Sequence, residues 1–238
     1  MRVGEPAEVC AILDDPRFEV PAAPSASAGI GWLRATVSRF TNGSVHARRR
    51  ALVERELEAL RPAELRSLAE ALAASLDARD VPLAALCSAL GVERHALHQA
   101  VADARVVASA YPLGSDATAE ADAATSRLVA LLGPAADEAT AARIALLAQA
   151  GTATGALIEA ALERLRTDSS RPVEDVLVDT LRQDPPARTT RRVHGGQTVE
   201  LDLAAAQLPF GHGPRACPGR EQALALAAGV LDAAVRRT

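Results

Sequence analysis

Apolar side chains recur at intervals of three and four residues along most of the chain, and this spacing predicts a mainly helical protein. The longest periodic segment, Asp137–Leu165, is expected to form the longest helix. Glycine, proline and polar turns separate it from the segments on either side. The pattern predicts further helices over residues 7–14, 44–60, 64–76, 83–90, 94–108, 119–132, 173–183 and 221–235.

The segment between Arg188 and Leu203 has the pattern of a β-hairpin. β-Branched residues alternate with polar ones on both sides of the turn Gly195-Gly196. A stretch rich in Pro, Ala, Ser and Gly, Pro21–Gly31, is predicted to be a loop. Together these patterns predict one mainly α domain over residues 1–238 with a small β element.

Composition narrows the class of protein. The net charge of −4 argues against nucleic acid as a partner. The three cysteines lie far apart without a pairing pattern, which is typical of a reducing cytosol. The first residues lack a signal-peptide core, and no stretch of 18 uninterrupted apolar residues predicts a membrane span. We therefore expect a cytoplasmic protein with no membrane segment.

A glycine-rich loop, residues 210–219, contains Cys217 and leads directly into the last predicted helix. The free N–H groups at a helix N-terminus stabilise a thiolate. Gly213 and Gly219 allow the backbone to approach a flat ligand closely, and Arg215 can pair with a carboxylate through its planar guanidinium. These are the groups that a haem with its propionates requires on one side.

Two other interpretations of Cys217 stay open from the residues alone. It could be an inert buried cysteine in a loop. It could also bind zinc together with His194 and His212, although that set lacks a fourth ligand and the usual close spacing.

The loop resembles the cysteine loop of the cytochromes P-450, whose pattern is Phe-x-x-Gly-x-Arg-x-Cys-x-Gly followed by Ala four residues later. The resemblance implies a truncated cytochrome P-450-like fold that binds haem b, with Cys217 as the ligand to iron. The pattern is filled here by Phe210, Gly213, Arg215, Cys217, Gly219 and Ala223.

Other segments extend the resemblance. The family's His-x-x-x-Arg step corresponds to His46 and Arg50, whose spacing places both on one helical face. The resemblance implies that these side chains and Arg192 bind the haem propionates. The alternatives are a solvated basic helix end for the first two and a solvated arginine for Arg192.

The family's Glu-x-x-Arg pair corresponds to Asp179 and Arg182. The resemblance implies a buried structural pair that locks the proximal side, although aspartate is one methylene shorter than glutamate. Neither residue is expected to touch substrate.

The central helix resembles the helix that crosses the distal face of haem in this family. The usual signature, Ala/Gly-Gly-x-Asp/Glu-Thr, corresponds here to residues 150–154, with Ala153 in place of the acid. The resemblance implies that Thr154 assists proton delivery. The alternative is an ordinary helical threonine bonded to the carbonyl of Ala150.

The chain is much shorter than is usual in the family. Nothing before Val9 corresponds to the usual first helix and strands, and the region between Ala108 and Asp137 is too short for the two helices that roof the pocket. Only 24 residues separate Arg192 from Cys217. An open pocket favours a large or carrier-borne substrate, or easy entry of peroxide. A changed electron-delivery surface leaves a ferredoxin-type partner open, and a second copy or a partner protein could supply the missing elements.

The leading function is P-450-like monooxygenation of a small organic molecule. The first alternative is a haem-thiolate enzyme that uses peroxide or catalyses a redox-neutral reaction, which the loss of the acid at Ala153 favours. The second is a haem-binding accessory or sensor protein without catalysis. Fold resemblance alone does not decide among them.

Overall fold

The structure, a computed structural model, describes residues 1–236, of which the greater part is helical. Within this range there are ten α-helices, two 3₁₀-helices and one three-stranded sheet. The helices are α1 Pro6–Asp14, α2 Gly29–Thr36, α3 Gly43–Glu58, α4 Pro62–Leu72, α5 Val81–Ala89, α6 Leu97–Ala110, α7 Ala119–Leu132, α8 Glu138–Thr167, α9 Val173–Gln183 and α10 Arg220–Val235. The 3₁₀-helices are Ser38–Phe40 and Gly213–Arg215, and the strands are β1 Arg2–Val3, β2 Thr189–His194 and β3 Gln197–Asp202.

Helix α8 is the central helix, as its periodicity predicts. The side chain of Asp137 accepts from the backbone N–H of Thr140 at 2.8 Å and so caps its first turn. It packs against α3, α5, α6, α7, α9 and α10. By length and composition α8 could cross a membrane, but 56% of its most apolar window is buried inside the protein. The core therefore accounts for its apolar character.

The predicted hairpin is confirmed, and a further strand joins it. Gly195 and Gly196 have φ values of +55° and +76°, which a two-residue hairpin turn requires. β2 and β3 are antiparallel, and β1 pairs with β3 in parallel. A short strand, β1, lies before Val9, where the sequence pattern indicates none, because two residues are too few for any periodicity.

The prediction that the loop continues to Gly31 is also wrong, because α2 begins at Gly29. This helix buries Ile30, Trp32 and Leu33 in the main core. No local side chain caps it. Instead the carboxylate of Asp122 accepts from the N–H of Ile30 at 2.9 Å. The cap is thus supplied by α7, from a residue 92 positions along the chain.

A single helix, α7, lies in the described chain between Ala108 and Asp137, in line with the short segment there. It packs against α2, α6 and α8. A second, smaller core joins α1 to the sheet through Val3, Val9, Leu13, Val199 and Leu201. The cysteine loop follows this small core directly.

Candidate functional site

The cysteine loop is a tight structure held by its own backbone. The N–H of Cys217 donates to the carbonyl oxygen of Phe210 at 2.8 Å. Gly211 and Gly213 have φ values of +73° and +66°, in the left-handed region that glycine tolerates best. α10 begins at Arg220, three residues after the cysteine, so Cys217 lies at a helix N-terminus as predicted.

Cys217 is exposed to solvent, but many protein atoms lie close enough to its sulfur to desolvate it in part. Burial raises the pKa of its thiol, while the backbone N–H of Gly219 and the charges of Arg50 and Arg39 lower it. The thiol is thus accessible to a ligand although neighbouring protein atoms partly desolvate it. A bound metal ion removes the thiol proton outright, so the raised pKa is no obstacle to ligation.

Two histidines near the loop have partners other than Cys217. His212 Nε2 lies 3.0 Å from Asp14 Oδ2, at the end of α1. His194 stacks on the ring of Phe18, with 4.5 Å between ring centroids. Within residues 1–236 no three or more metal-binding side chains cluster. The described residues therefore give the zinc interpretation no geometric support.

Three arginines and one histidine predicted from separate motifs converge beside the cysteine loop. The pKa of His46 is lowered to about 4, first by burial and then by the charges of Arg215, Arg50 and Arg192, while Glu54 opposes the shift. The pKa of Arg215 is lowered to about 10 by burial, Arg192 and Arg50, while Glu19 opposes the shift. Burial also lowers the pKa of Arg192, which is 4% exposed. We name His46, Arg50, Arg192 and Arg215 the cationic cluster.

The cationic cluster holds more positive charge than its partners neutralise. Arg50 pairs with Glu54 at 2.7 Å, but Arg192 donates only to the hydroxyl of Thr190 and the carbonyl of Arg191, at 3.1 and 2.9 Å. Arg215 donates to neutral oxygens of Thr41 and Asn42. Among the described residues neither Arg192 nor Arg215 has an ion pair with a carboxylate. Buried cations without counter-charges are costly, and an anionic ligand would remove that cost.

The donor set fits a haem with an axial thiolate. Cys217 is exposed, and the cationic cluster beside it matches the two carboxylates of such a group. Phe210 lies in the same loop, with the guanidinium of Arg220 5.3 Å from its ring centroid. Gly219, the residue before α10, has a φ of −98°, which other residues also adopt.

Asn42 supports the site in a way that sequence patterns did not indicate. Its position before α3 predicts a helix cap, but its side chain makes no capping hydrogen bond. The amide instead bonds both backbone groups of Val20 at 3.0 Å, and its oxygen accepts from Arg215 at 2.9 Å. A helix-start pattern such as Asn42-Gly43-Ser44 depends on local sequence and cannot reveal these distant partners.

The signature on α8 is divided between two faces of the helix. Ala153 and Thr152 are exposed, whereas Thr154 is 4% exposed. Thr154 therefore does not share the open face, and its proton-delivery role stays a prediction. The hydroxyl of Thr152 bonds back to the carbonyl of Ala148 at 3.4 Å.

Asp179 and Arg182 form the expected pair, at 3.0 Å, but near the surface. The Arg182 side chain is 63% exposed, so the expectation of a buried pair is wrong. The carboxylate of Asp179 also pairs with Arg171 at 2.5 Å. A pair at i and i+3 on α9 stays at the helix surface unless other elements cover it.

Comparison with solved structures shows that the chain has a cytochrome P450 fold, which confirms the fold implied by the loop. P450BioI in complex with acyl carrier protein bearing hexadec-9Z-enoic acid matches 99% of this chain and 84% of its own, with a TM-score of 0.75 and 18% identity. A thermophilic cytochrome P450 from Sulfolobus tokodaii matches 98% and 86%, with a TM-score of 0.77 and 16% identity. Mycobacterium smegmatis CYP164A2 matches 99% and 83%, with a TM-score of 0.72 and 21% identity.

No family model and no curated protein matches the sequence. At these identities the structural likeness establishes the fold alone. The reaction depends on the residues around Cys217, which the fold alone does not specify.

Proposed function

We propose that the protein is a haem-thiolate oxidoreductase that inserts oxygen into a small organic molecule. The observation that carries the proposal is the exposed thiol of Cys217 beside the cationic cluster, which lacks enough carboxylates of its own. A fold used by many cytochromes P450 supports the same conclusion.

In this proposal Cys217 binds the iron and the cationic cluster binds the two propionates. A haem held by this thiolate would supply oxidising chemistry that needs dioxygen and electrons, or a peroxide. The N–H of Gly219 and the charge of Arg50 stabilise the sulfur as an anion. Thr154 on α8 is the proposed proton-delivery residue.

The substrate is proposed to be a small molecule, either free or attached to a carrier protein. One structural neighbour was solved as a complex with an acyl carrier protein bearing a fatty acid. We propose that the protein works in the cytoplasm, with neither nucleic acid nor membrane as a partner.

A peroxide-dependent reaction is the second candidate, and one observation favours it. The open face of α8 presents Ala153 where the resemblance calls for a carboxylate, so this position cannot hold a proton for reductive oxygen activation. Turnover with hydrogen peroxide, compared with turnover with a ferredoxin, its reductase and NADPH, separates the two candidates. Normal haem loading without product under either condition would instead support an accessory or sensor role.

The first test is the absorption spectrum of the haem-loaded protein after reduction with dithionite and exposure to carbon monoxide. We expect a strongly red-shifted band in the wild type that is absent in Cys217→Ala. Cys10→Ala is the matched control, because Cys10 lies in α1 and is only partly exposed. No haem binding, or an unchanged band in Cys217→Ala, would overturn the proposal.

A further inference from the structure

One arginine near the cysteine loop, Arg39, lies outside the cationic cluster and has no carboxylate partner among the described residues. Its guanidinium is exposed, donates to the side-chain oxygen of Gln149 at 3.2 Å and lies 5.8 Å from the ring centroid of Phe40. In residues 1–236 it has no ion pair with a carboxylate. Arg48 and Arg49 of α3 differ, since both pair with Glu138.

Arg39 connects the edge of the cysteine loop with α8. It lies in the 3₁₀-helix just before Thr41, whose carbonyl accepts from Arg215 at 2.5 Å. Its partner Gln149 lies on α8 one helical turn before the exposed Ala153. The charge of Arg39 also acts on the thiol of Cys217. The guanidinium is therefore close enough to the sulfur for its charge to act on the thiol, and it contacts α8 through Gln149.

A second, independent observation is a buried hydroxyl without a partner. Tyr111 is 3% exposed, and its hydroxyl makes no hydrogen bond in the described structure. Its ring contacts that of Phe40, with 5.3 Å between centroids. Burial raises the pKa of Tyr111 well above its usual value, and the charge of Arg39 opposes that shift. The hydroxyl thus stays protonated near Arg39, and leaving it unpaired is costly.

We propose that Arg39, Gln149 and Tyr111 form a carboxylate-binding subsite that holds the acid end of the substrate. This inference rests on the proposed function and specifies its substrate class as a carboxylic acid. A guanidinium binds a carboxylate through two parallel hydrogen bonds. The Gln149 amide donates one N–H to the carbonyl of Ala145 at 3.2 Å and keeps the second for a ligand. The Tyr111 hydroxyl, which has no partner among the described residues, is the third donor in this proposal.

The subsite determines which part of the substrate is oxidised. The acid group is held at Arg39, so the oxidised carbon must lie along the chain toward Cys217. A free carboxylate is the ligand that Arg39 recognises, and an ester or thioester to a carrier lacks the negative charge. The inference therefore favours a free acid over a carrier-borne one.

The test is a spectral titration of the haem-loaded protein with octanoate, dodecanoate and 4-phenylbutanoate, each compared with its primary alcohol. We expect at least one acid to bind about tenfold or more tightly than its alcohol. The preference should disappear in Arg39→Gln and partly return in Arg39→Lys. Arg48→Gln is the matched control, because it removes an exposed arginine that Glu138 already neutralises.

Equal binding of acid and alcohol, or an undiminished preference in Arg39→Gln, would overturn the inference while the carbon monoxide band stands. If that band is absent and the proposed function fails, calorimetry of the haem-free protein with the same acids decides the subsite. Loss of acid binding in Arg39→Gln then supports it, and no binding in the wild type refutes it.

Discussion

The guanidinium of Arg215 donates to the carbonyl of Thr41 at 2.5 Å and to the side chain of Asn42 at 2.9 Å. These bonds tie the cysteine loop to the segment that leads into α3, where His46 and Arg50 lie one turn apart. The partly buried Arg215 thus fixes the position of the cysteine loop relative to His46 and Arg50. Both acceptors are neutral, so the positive charge of Arg215 remains available to bind an anion.

Arg215→Gln should weaken haem binding by about tenfold or more, because it removes charge-assisted hydrogen bonds worth roughly 1.5–3 kcal/mol. It should also raise the pKa of His46 from about 4, since Arg215 is the largest charge that lowers it. Haem titration and NMR of the imidazole measure the two effects. Arg220→Gln, which changes an arginine of the same segment over Phe210, should leave the His46 pKa unchanged.

The haem-free protein should lose stability as the pH falls from about 6.5 toward 4. His46 has a pKa of about 4 when folded and 6.5 in the reference state, so the unfolded chain binds more protons in that window. Urea unfolding at pH 7, 6 and 5 measures the loss, which His46→Gln should reduce. Glu138, whose pKa is lowered to about 2 by Arg48 and Arg49, loses its contribution only below about 4.5.

An equal acid dependence in wild type and His46→Gln would contradict the lowered His46 pKa. Haem binding should itself weaken the dependence, because propionates would offset the charges that oppose protonation of His46.

The two glycines of the cysteine motif should respond differently to alanine. Gly213 has a φ of +66°, and an added Cβ would lie 2.3 Å from Asp14 Oδ1. Gly219 has an ordinary φ, and its Cβ would lie 3.4 Å from Leu57. Gly213→Ala should therefore lower the melting temperature and the haem content, since positive φ costs about 1 kcal/mol or more without glycine. Gly219→Ala should keep the fold, as thermal unfolding can check.

If Gly219→Ala keeps the melting temperature but loses haem, glycine is needed at this position because the ligand lies close to the backbone. It is then not needed for folding of the loop. Equal thermal destabilisation by both variants would contradict the geometry above.

The helices and the hairpin could be predicted because local periodicity and turn residues specify them. α2 could not, because its cap comes from Asp122 on another helix. Motif spacing also predicted that four side chains lie close together, and the structure places them so: His46, Arg50, Arg192 and Arg215. It could not identify Arg39 or Tyr111. Only their neighbours in the folded protein distinguish Arg39 from the other arginines and leave the Tyr111 hydroxyl without a partner.

Tyr111→Phe should stabilise the protein in the absence of a ligand. The change removes a buried hydroxyl that lacks a partner and keeps the ring contact with Phe40. Relief of an unsatisfied polar group is worth about 1–3 kcal/mol, less the cost of any repacking. Chemical denaturation measures the gain. The same variant should bind dodecanoate less tightly than wild type, and a destabilised variant would indicate a hydrogen bond that forms in solution.

Ala153→Asp should shift the reaction toward dependence on reductant, because it restores the carboxylate of the family signature on α8. Ala153 is exposed, so an aspartate there keeps its hydration and should not destabilise the fold. We expect product formation with a ferredoxin system to rise severalfold relative to that with peroxide. The matched control is Thr152→Asp, because Thr152 is also exposed but lies 100° around the helix, and it should have no such effect.

Thr154→Ala alters a buried side chain. It should reduce reductant-driven turnover in the wild type and in Ala153→Asp if Thr154 delivers protons. A ratio that stays the same in all three variants would mean that neither residue handles protons, and the peroxide-dependent reaction would then be the function that the site supports.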